Sequence, residues 1–155
     1  ERQAAIEHLS DMLRLNPNDN QGLRYTLSKW LYLEGLDERL DELFQQYNED
    51  GAADFGYTRA LHLFRKEGAG RRANARLREA LEINPFVPLY LLGIRDLPRE
   101  MPDYVGFGDE SEAVAYVGHA IEMWYTTEGA VEWVMKTMLA MMDDLPDERR
   151  RKPRK

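Results

Sequence analysis

The chain has 155 residues, no cysteine, 43% hydrophobic and 32% charged residues, and a formal net charge of −7. That length supports one domain with a real core, and that balance excludes a disordered chain; the missing thiols exclude disulfides and Cys-based zinc sites. No apolar run approaches the roughly 18 to 20 residues that span a bilayer, and no basic stretch followed by an apolar one marks a secretory signal, so a cytoplasmic location without membrane contact is expected. Six basic residues fall within 149–155, so a chain of net −7 carries −13 elsewhere. An acidic body repels phosphates, which makes nucleic acid an unexpected partner except through that basic end.

The chain opens at Glu1 and in mid-unit of a repeating pattern, as a piece of a longer protein would. Residues 1–19 read as one helix, with Ala5, Leu9 and Met12 along one side and Pro17 beyond its end. Residues 20–53 read as two helices, the first striped by Leu23, Leu27 and Trp30, the second anchored by Leu43. Residues 54–87 repeat the scheme more fully: Tyr57, Leu61 and Phe64 on the first helix, Gly68 at the turn, Ala73, Leu77 and Ala80 on the second, Pro85 as the stop. Arg39 and Gln46 stand where the later unit has Ala73 and Ala80, so wider helix spacing is expected in the earlier pair. Asn16-Pro17, Asp50-Gly51 and Asn84-Pro85 recur every 34 residues. On these residues the stretch from 1 to about 87 resembles the tetratricopeptide repeat family, whose unit is a helix–turn–helix of that period. The resemblance implies an all-α, right-handed α-α superhelix of stacked helix hairpins.

Beyond Pro88, Leu89 to Ile94 reads as a short helix, and Pro98, Pro102, Gly106 and Gly108 mark a loop. Asp109-Glu110-Ser111-Glu112 has the form of a capping box. An amphipathic helix follows to about Tyr125, with Ala113, Ala115, Tyr116, Ala120 and Met123 on it. Thr126 to Gly129 restarts the chain, and Val131, Val134, Met135, Met138, Leu139 and Met142 stripe a last helix. No segment reads as a strand. The expected organisation is a single helical domain over 1–148, with divergent helices at 88–145, and a disordered basic tail at 149–155. The segments Asn84 to Leu92 and Gly108 to Ala130, with Glu112-Ala113-Val114-Ala115-Tyr116 and Glu128-Gly129-Ala130, are similar to the suppressor-of-tumorigenicity-seven family and related bacterial repeat proteins. That similarity implies helical repeats.

Chemistry finds little foothold. His8, His62 and His119 are far apart and form no helix-borne metal pair, so neither metal nor cofactor is expected. Ser10, Ser28 and Ser111 sit inside or at the start of helices, not on the strained turn a nucleophile needs. Gly106-Phe107-Gly108 lacks the preceding strand of a phosphate loop and reads as a turn into the next helix. The carboxylates Asp37, Glu38, Asp41, Glu42, Asp143, Asp144, Asp147 and Glu148 belong to helix ends and exposed faces. No enzyme is expected.

In stacked hairpins of the tetratricopeptide kind the first helices line a concave surface. The resemblance places Gln21, Arg24, Tyr25, Ser28, Leu31 and Tyr32, then Phe55, Thr58, Arg59, His62, Arg65 and Lys66, on it. Positive charge beside tyrosine suits an acidic peptide, which makes Arg24, Tyr25, Ser28, Tyr32, Arg59, His62 and Arg65 the candidate partner-binding residues. Arg24, Ser28, Thr58, Arg59 and His62 replace the lysine and asparagine of the chaperone-terminus clamps of some such domains. The expected function is a non-catalytic protein–protein interaction scaffold or adaptor. The alternatives are a homo-oligomerisation module, possible as a homodimer through Trp124, Trp133, Met135, Met138, Met141 and Met142, and a nucleic-acid-associated protein acting through its tail.

Overall fold

Residues 1–145 are described by the structure, a computed structural model, and they form eight α-helices with no strand among them. The expected tail at 149–155 lies outside the described residues, as do Asp147 and Glu148. In chain order the helices are α1 (Arg2–Leu15), α2 (Leu23–Leu33), α3 (Asp37–Gln46), α4 (Ala53–Glu67), α5 (Arg71–Ile83), α6 (Val87–Leu91), α7 (Glu110–Tyr125) and α8 (Ala130–Asp143). Among the described residues no helix is long and apolar enough to cross a membrane.

The hairpins follow from their turn chemistry. Asp19 takes a left-handed φ of 50°, which Asp tolerates, and its buried carboxylate accepts hydrogen bonds from the Leu23 N–H at 2.8 Å and the Arg24 N–H at 3.0 Å. The first turn of α2 is thereby satisfied. Asp50 and Asn84 each accept from the backbone two residues on, Ala52 N–H at 2.9 Å and Phe86 N–H at 3.0 Å, so the 34-residue register reappears as a repeated side-chain turn. Gly68, with φ of 75°, turns α4 into α5. That pair packs most extensively of all: Ala73 and Ala80 are fully buried, and a side chain at Gly56 would meet Ile83 at 3.3 Å. Arg39 instead leaves the α2–α3 seam and reaches α1, donating to Glu7 at 2.8 Å and to the Ser10 hydroxyl at 3.0 Å.

The short helix begins and ends earlier than its expected span of Leu89 to Ile94. Pro88 fits its first turn, where no N–H partner is needed, and Gly93 with φ of 70° turns the chain away. The connection from 92 to 109 then carries the chain to α7. Here the capping box is only half realised. Asp109 accepts from the Ser111 and Glu112 N–H groups at 2.9 and 3.2 Å, but the Glu112 side chain does not return to Asp109. It points inward, 5% exposed, and accepts from Asn84 Nδ2 at 3.0 Å, Gly108 N–H at 3.0 Å and Ala53 N–H at 3.3 Å. Asn84 also donates to the Asp109 carbonyl at 2.8 Å and accepts the Tyr57 hydroxyl on its own carbonyl at 2.6 Å.

The last helices close the core. Trp124 is fully buried and Trp133 nearly so; the Trp133 ring stacks on Phe64 with centroids 4.5 Å apart and donates to Asn74 Oδ1 at 2.7 Å. Removing the Glu112 carboxylate would take an acceptor from three donors, of which the Ala53 N–H is buried and the Gly108 N–H half-buried, and Asn84 keeps the Asp109 carbonyl. Glu112→Ala is therefore expected to cost about 3 kcal/mol and lower Tm on the order of 10 °C. Thermal unfolding followed by circular dichroism measures it, and an unchanged Tm contradicts the role given to Glu112.

Candidate functional site

Helix α7 packs across both α2 and α4. The Tyr116 hydroxyl meets Thr58 Oγ1 at 3.1 Å and accepts Trp124 Nε1–H at 2.9 Å, while just beyond α7 the Thr127 hydroxyl meets that of Tyr32 at 2.5 Å. Ser28 and Thr58 are fully buried and Tyr32 is 1% exposed, while Phe55, also fully buried, packs among the rings of Tyr25, Phe44 and Tyr47. Much of the face on which the repeat register seats a partner is thus covered by the chain's own helix.

The seven candidate residues divide accordingly. Ser28, Tyr32 and His62 are buried. Ser28 donates to the Tyr25 carbonyl of its own helix at 2.8 Å. His62 turns to the α3 side, its Nε2 2.8 Å from Asp41 Oδ1; burial holds its imidazole below the ordinary range despite that carboxylate, so it is neutral at pH 7. Arg24 is spoken for by two acids, Asp50 at 2.7 Å and Asp19 at 2.9 Å, and Tyr25 donates to the same Asp50 at 2.8 Å. Arg65 lies 3.5 Å over the Tyr32 ring, donates to the Tyr32 carbonyl at 2.7 Å and pairs with Asp37 at 2.6 Å. Arg59 differs: its Nη2 donates to the carbonyls of Phe44 at 3.1 Å and Tyr47 at 2.9 Å, and no carboxylate among the described residues pairs with it.

Two of the clefts on the outside are the roomiest and flank the α3–α4 connection. One, of about 580 Å³, lies between the start of α2 and the α3–α4 connection, walled by Tyr25, Tyr47, Asn48 and Asp50 and overhung by Phe107. Phe107 is 82% exposed, and the same loop exposes Tyr104 at 78%, Ile94 at 61% and Met101 at 54%. The other, of about 560 Å³, lies between α3, α4 and α5, with Phe44, Arg59, Arg72 and Arg76 on its walls. Asn48 borders both. The repeat register drew its candidates from the first helix of each hairpin, so Arg72 and Arg76 of α5 and Tyr47, just past the end of α3, were not among them. The one signal for Phe107 was a large aromatic between two glycines.

A family model described as ST7 protein matches residues 58–152. The chain belongs to the ST7 protein family. No curated protein and no solved structure matches it. The family match runs from inside α4 and takes in Asn84, Glu112 and Tyr116, the residues that seat α7 in this ST7-family chain, along with Arg59, Arg72 and Arg76. Tyr25 and Tyr47 of the aromatic cleft precede it.

Under α7 sits a pair of ill-satisfied titratable groups. Asp54, in the first turn of α4, has Oδ1 buried without a hydrogen-bond partner among the described residues, and its Oδ2 is 3.7 Å from His119 Nε2, an atom likewise buried and without a partner among them. Burial first, then the nearby Asp50 and Glu112, push the Asp54 carboxyl up to about 8; burial and Lys29 hold the His119 imidazole below its ordinary range. Near neutrality Asp54 is protonated in the folded chain but ionised in the unfolded one. The native state therefore holds the extra proton, and stability falls as pH rises from about 4 to about 8, then levels. Asp54→Asn keeps the neutral shape and removes that slope, by up to about 1.4 kcal/mol per pH unit. Urea unfolding of both proteins at pH 5, 6.5 and 8 is expected to show the variant gaining on the wild type at each step; parallel pH profiles contradict it.

Proposed function

We propose that this chain is a non-catalytic protein–protein interaction module of the cytoplasm. In this reading its first part is a right-handed stack of tetratricopeptide-like hairpins, α2 with α3 and α4 with α5, preceded by α1. The repeated side-chain turns at Asp50 and Asn84 and the close Ala73 and Ala80 packing support that assignment. The partner docks not on the inner face under α7 but on the outer aromatic cleft. The observation that carries this is Phe107, 82% exposed above a cleft whose walls include Tyr25 and Tyr47. Exposed apolar groups gathered on one loop mark interaction surfaces, and aromatic anchors in such clefts dominate binding energy.

Arg24 belongs to the scaffold in this account. Reversing its charge would break two ion pairs and destabilise the chain, so it is a poor probe of binding. Phe107→Asp is the better one, since an exposed loop residue changes without loss of packing. A lysate pull-down with wild type beside Phe107→Asp is expected to retain a partner on the wild type and lose it on the variant, with equal Tm for the two. A partner held equally by both contradicts the assignment.

One observation favours a second reading, self-association. On α8, Met135, Leu139 and Met142 are 43%, 49% and 58% exposed and follow one another at helical spacing, an apolar stripe open among the described residues. Under that reading sedimentation at tens of micromolar shows a dimer that Leu139→Glu dissociates; a monomer throughout excludes it.

A further inference from the structure

We propose that the cleft between α3, α4 and α5 is a carboxylate-binding site, in which Arg59, Arg72 and Arg76 hold the acidic side chains of an extended peptide from a partner protein. A guanidinium carries five N–H donors, and both hydrogen bonds that Arg59 makes among the described residues come from Nη2. Its Nε and Nη1 have no acceptor among the described residues, and the side chain lines the cleft. Its ring neighbours Phe44 and Phe55, 5.4 and 5.3 Å from the guanidinium carbon, fix its plane. Burial and then the Arg76 charge hold this guanidinium below its ordinary range, with only Asp50 acting against them, so a like charge stands close by.

The acids of the cleft pair with groups other than Arg59. Asp41 is taken by His62 at 2.8 Å and Lys66 at 3.0 Å. Arg72 pairs with Glu67 at 2.7 Å and Arg76 with Glu79 at 3.5 Å, with Arg72 72% and Arg76 52% exposed. Such exposed pairs are worth little and exchange readily for an incoming carboxylate. An arginine without a carboxylate, beside two whose ion pairs are exposed, on a body of strongly negative charge, marks the place where an anion from outside is favoured.

Shape separates a peptide from a small free anion. The cleft holds about 560 Å³, and Asn48 joins it to the aromatic cleft beneath Phe107. A chain in extended form, with side chains alternating between its two sides, could lay an apolar residue in one and a carboxylate in the other. This inference deepens the interaction reading by naming the partner's chemistry, and rests on it only in taking the partner to be a protein.

The test uses the purified full chain and a fluorescein-labelled peptide of alternating Glu and Leu, with a Gln-for-Glu peptide as control, followed by fluorescence anisotropy. The Glu peptide is expected to bind about tenfold more tightly than the Gln peptide, to weaken about tenfold with Arg72→Gln/Arg76→Gln, and to resist millimolar inorganic phosphate. Arg72 and Arg76 are exposed, so their replacement leaves the fold in place; Arg59→Lys, which keeps the charge and loses the fork, is expected to weaken binding as well. Equal affinity for the two peptides, indifference to the arginine pair, or displacement by phosphate as by a simple competing ion overturns the proposal. Phe107→Ser leaves the preference for Glu over Gln intact, so failure of this site and failure of the docking surface at Phe107 are read separately.

Discussion

The buried carboxylate of Glu112 gathers donors from two distant parts of the chain, the start of α4 through Ala53 and the end of α5 through Asn84, and from the loop just before α7 through Gly108. A charge taken out of water is tolerated only when its lone pairs are met. That requirement fixes where α7 begins, and the direction of α7 from there decides what the rest of the surface can be. With its start pinned between the two ends of the α4–α5 hairpin, α7 lies against α2 and α4, and its tyrosine and tryptophan complete the core around Tyr57, Thr58 and Tyr32.

Covering that face redistributes the polar groups of the first hairpins. Ser28, Thr58, Tyr32 and His62 take internal partners, and Arg24 and Arg65 are each matched to acids of the neighbouring turn or helix. What is left on the outside is the aromatics around Phe107, and Arg59 without a carboxylate beside α5 arginines whose ion pairs are exposed. The Asp54–His119 contact is the residue of the same event. Helix α7 buries a carboxyl that a solvated helix start would have left ionised, and brings a histidine too far away to satisfy it.

Local rules made most of the helices readable. Apolar spacing located α1 to α5, α7 and α8, and Gly68 the turn between α4 and α5, because each depends on residues within one or two turns. The family similarity at Gly108 to Ala130 was also legible, since it rests on short runs such as Glu112 to Tyr116. The site was less so. Seven residues were placed on one face by register alone, but whether that face meets water depends on a helix more than fifty residues away. Nor does a capping-box pattern reveal that Glu112 faces inward instead of back along its own helix; only the positions of Ala53 and Asn84 decide that.

The most direct measurement is hydroxyl-radical footprinting of the intact chain, read residue by residue by mass spectrometry. If α7 closes the face of α2 and α4, Tyr32, Tyr116, Met123 and Trp124, all 3% exposed or less, oxidise far more slowly than Tyr104, Phe107 and Met142, all more than half exposed. Tyr32 and Tyr116 reacting as fast as Tyr104 would mean that the face is open in solution, and would contradict the closure by α7.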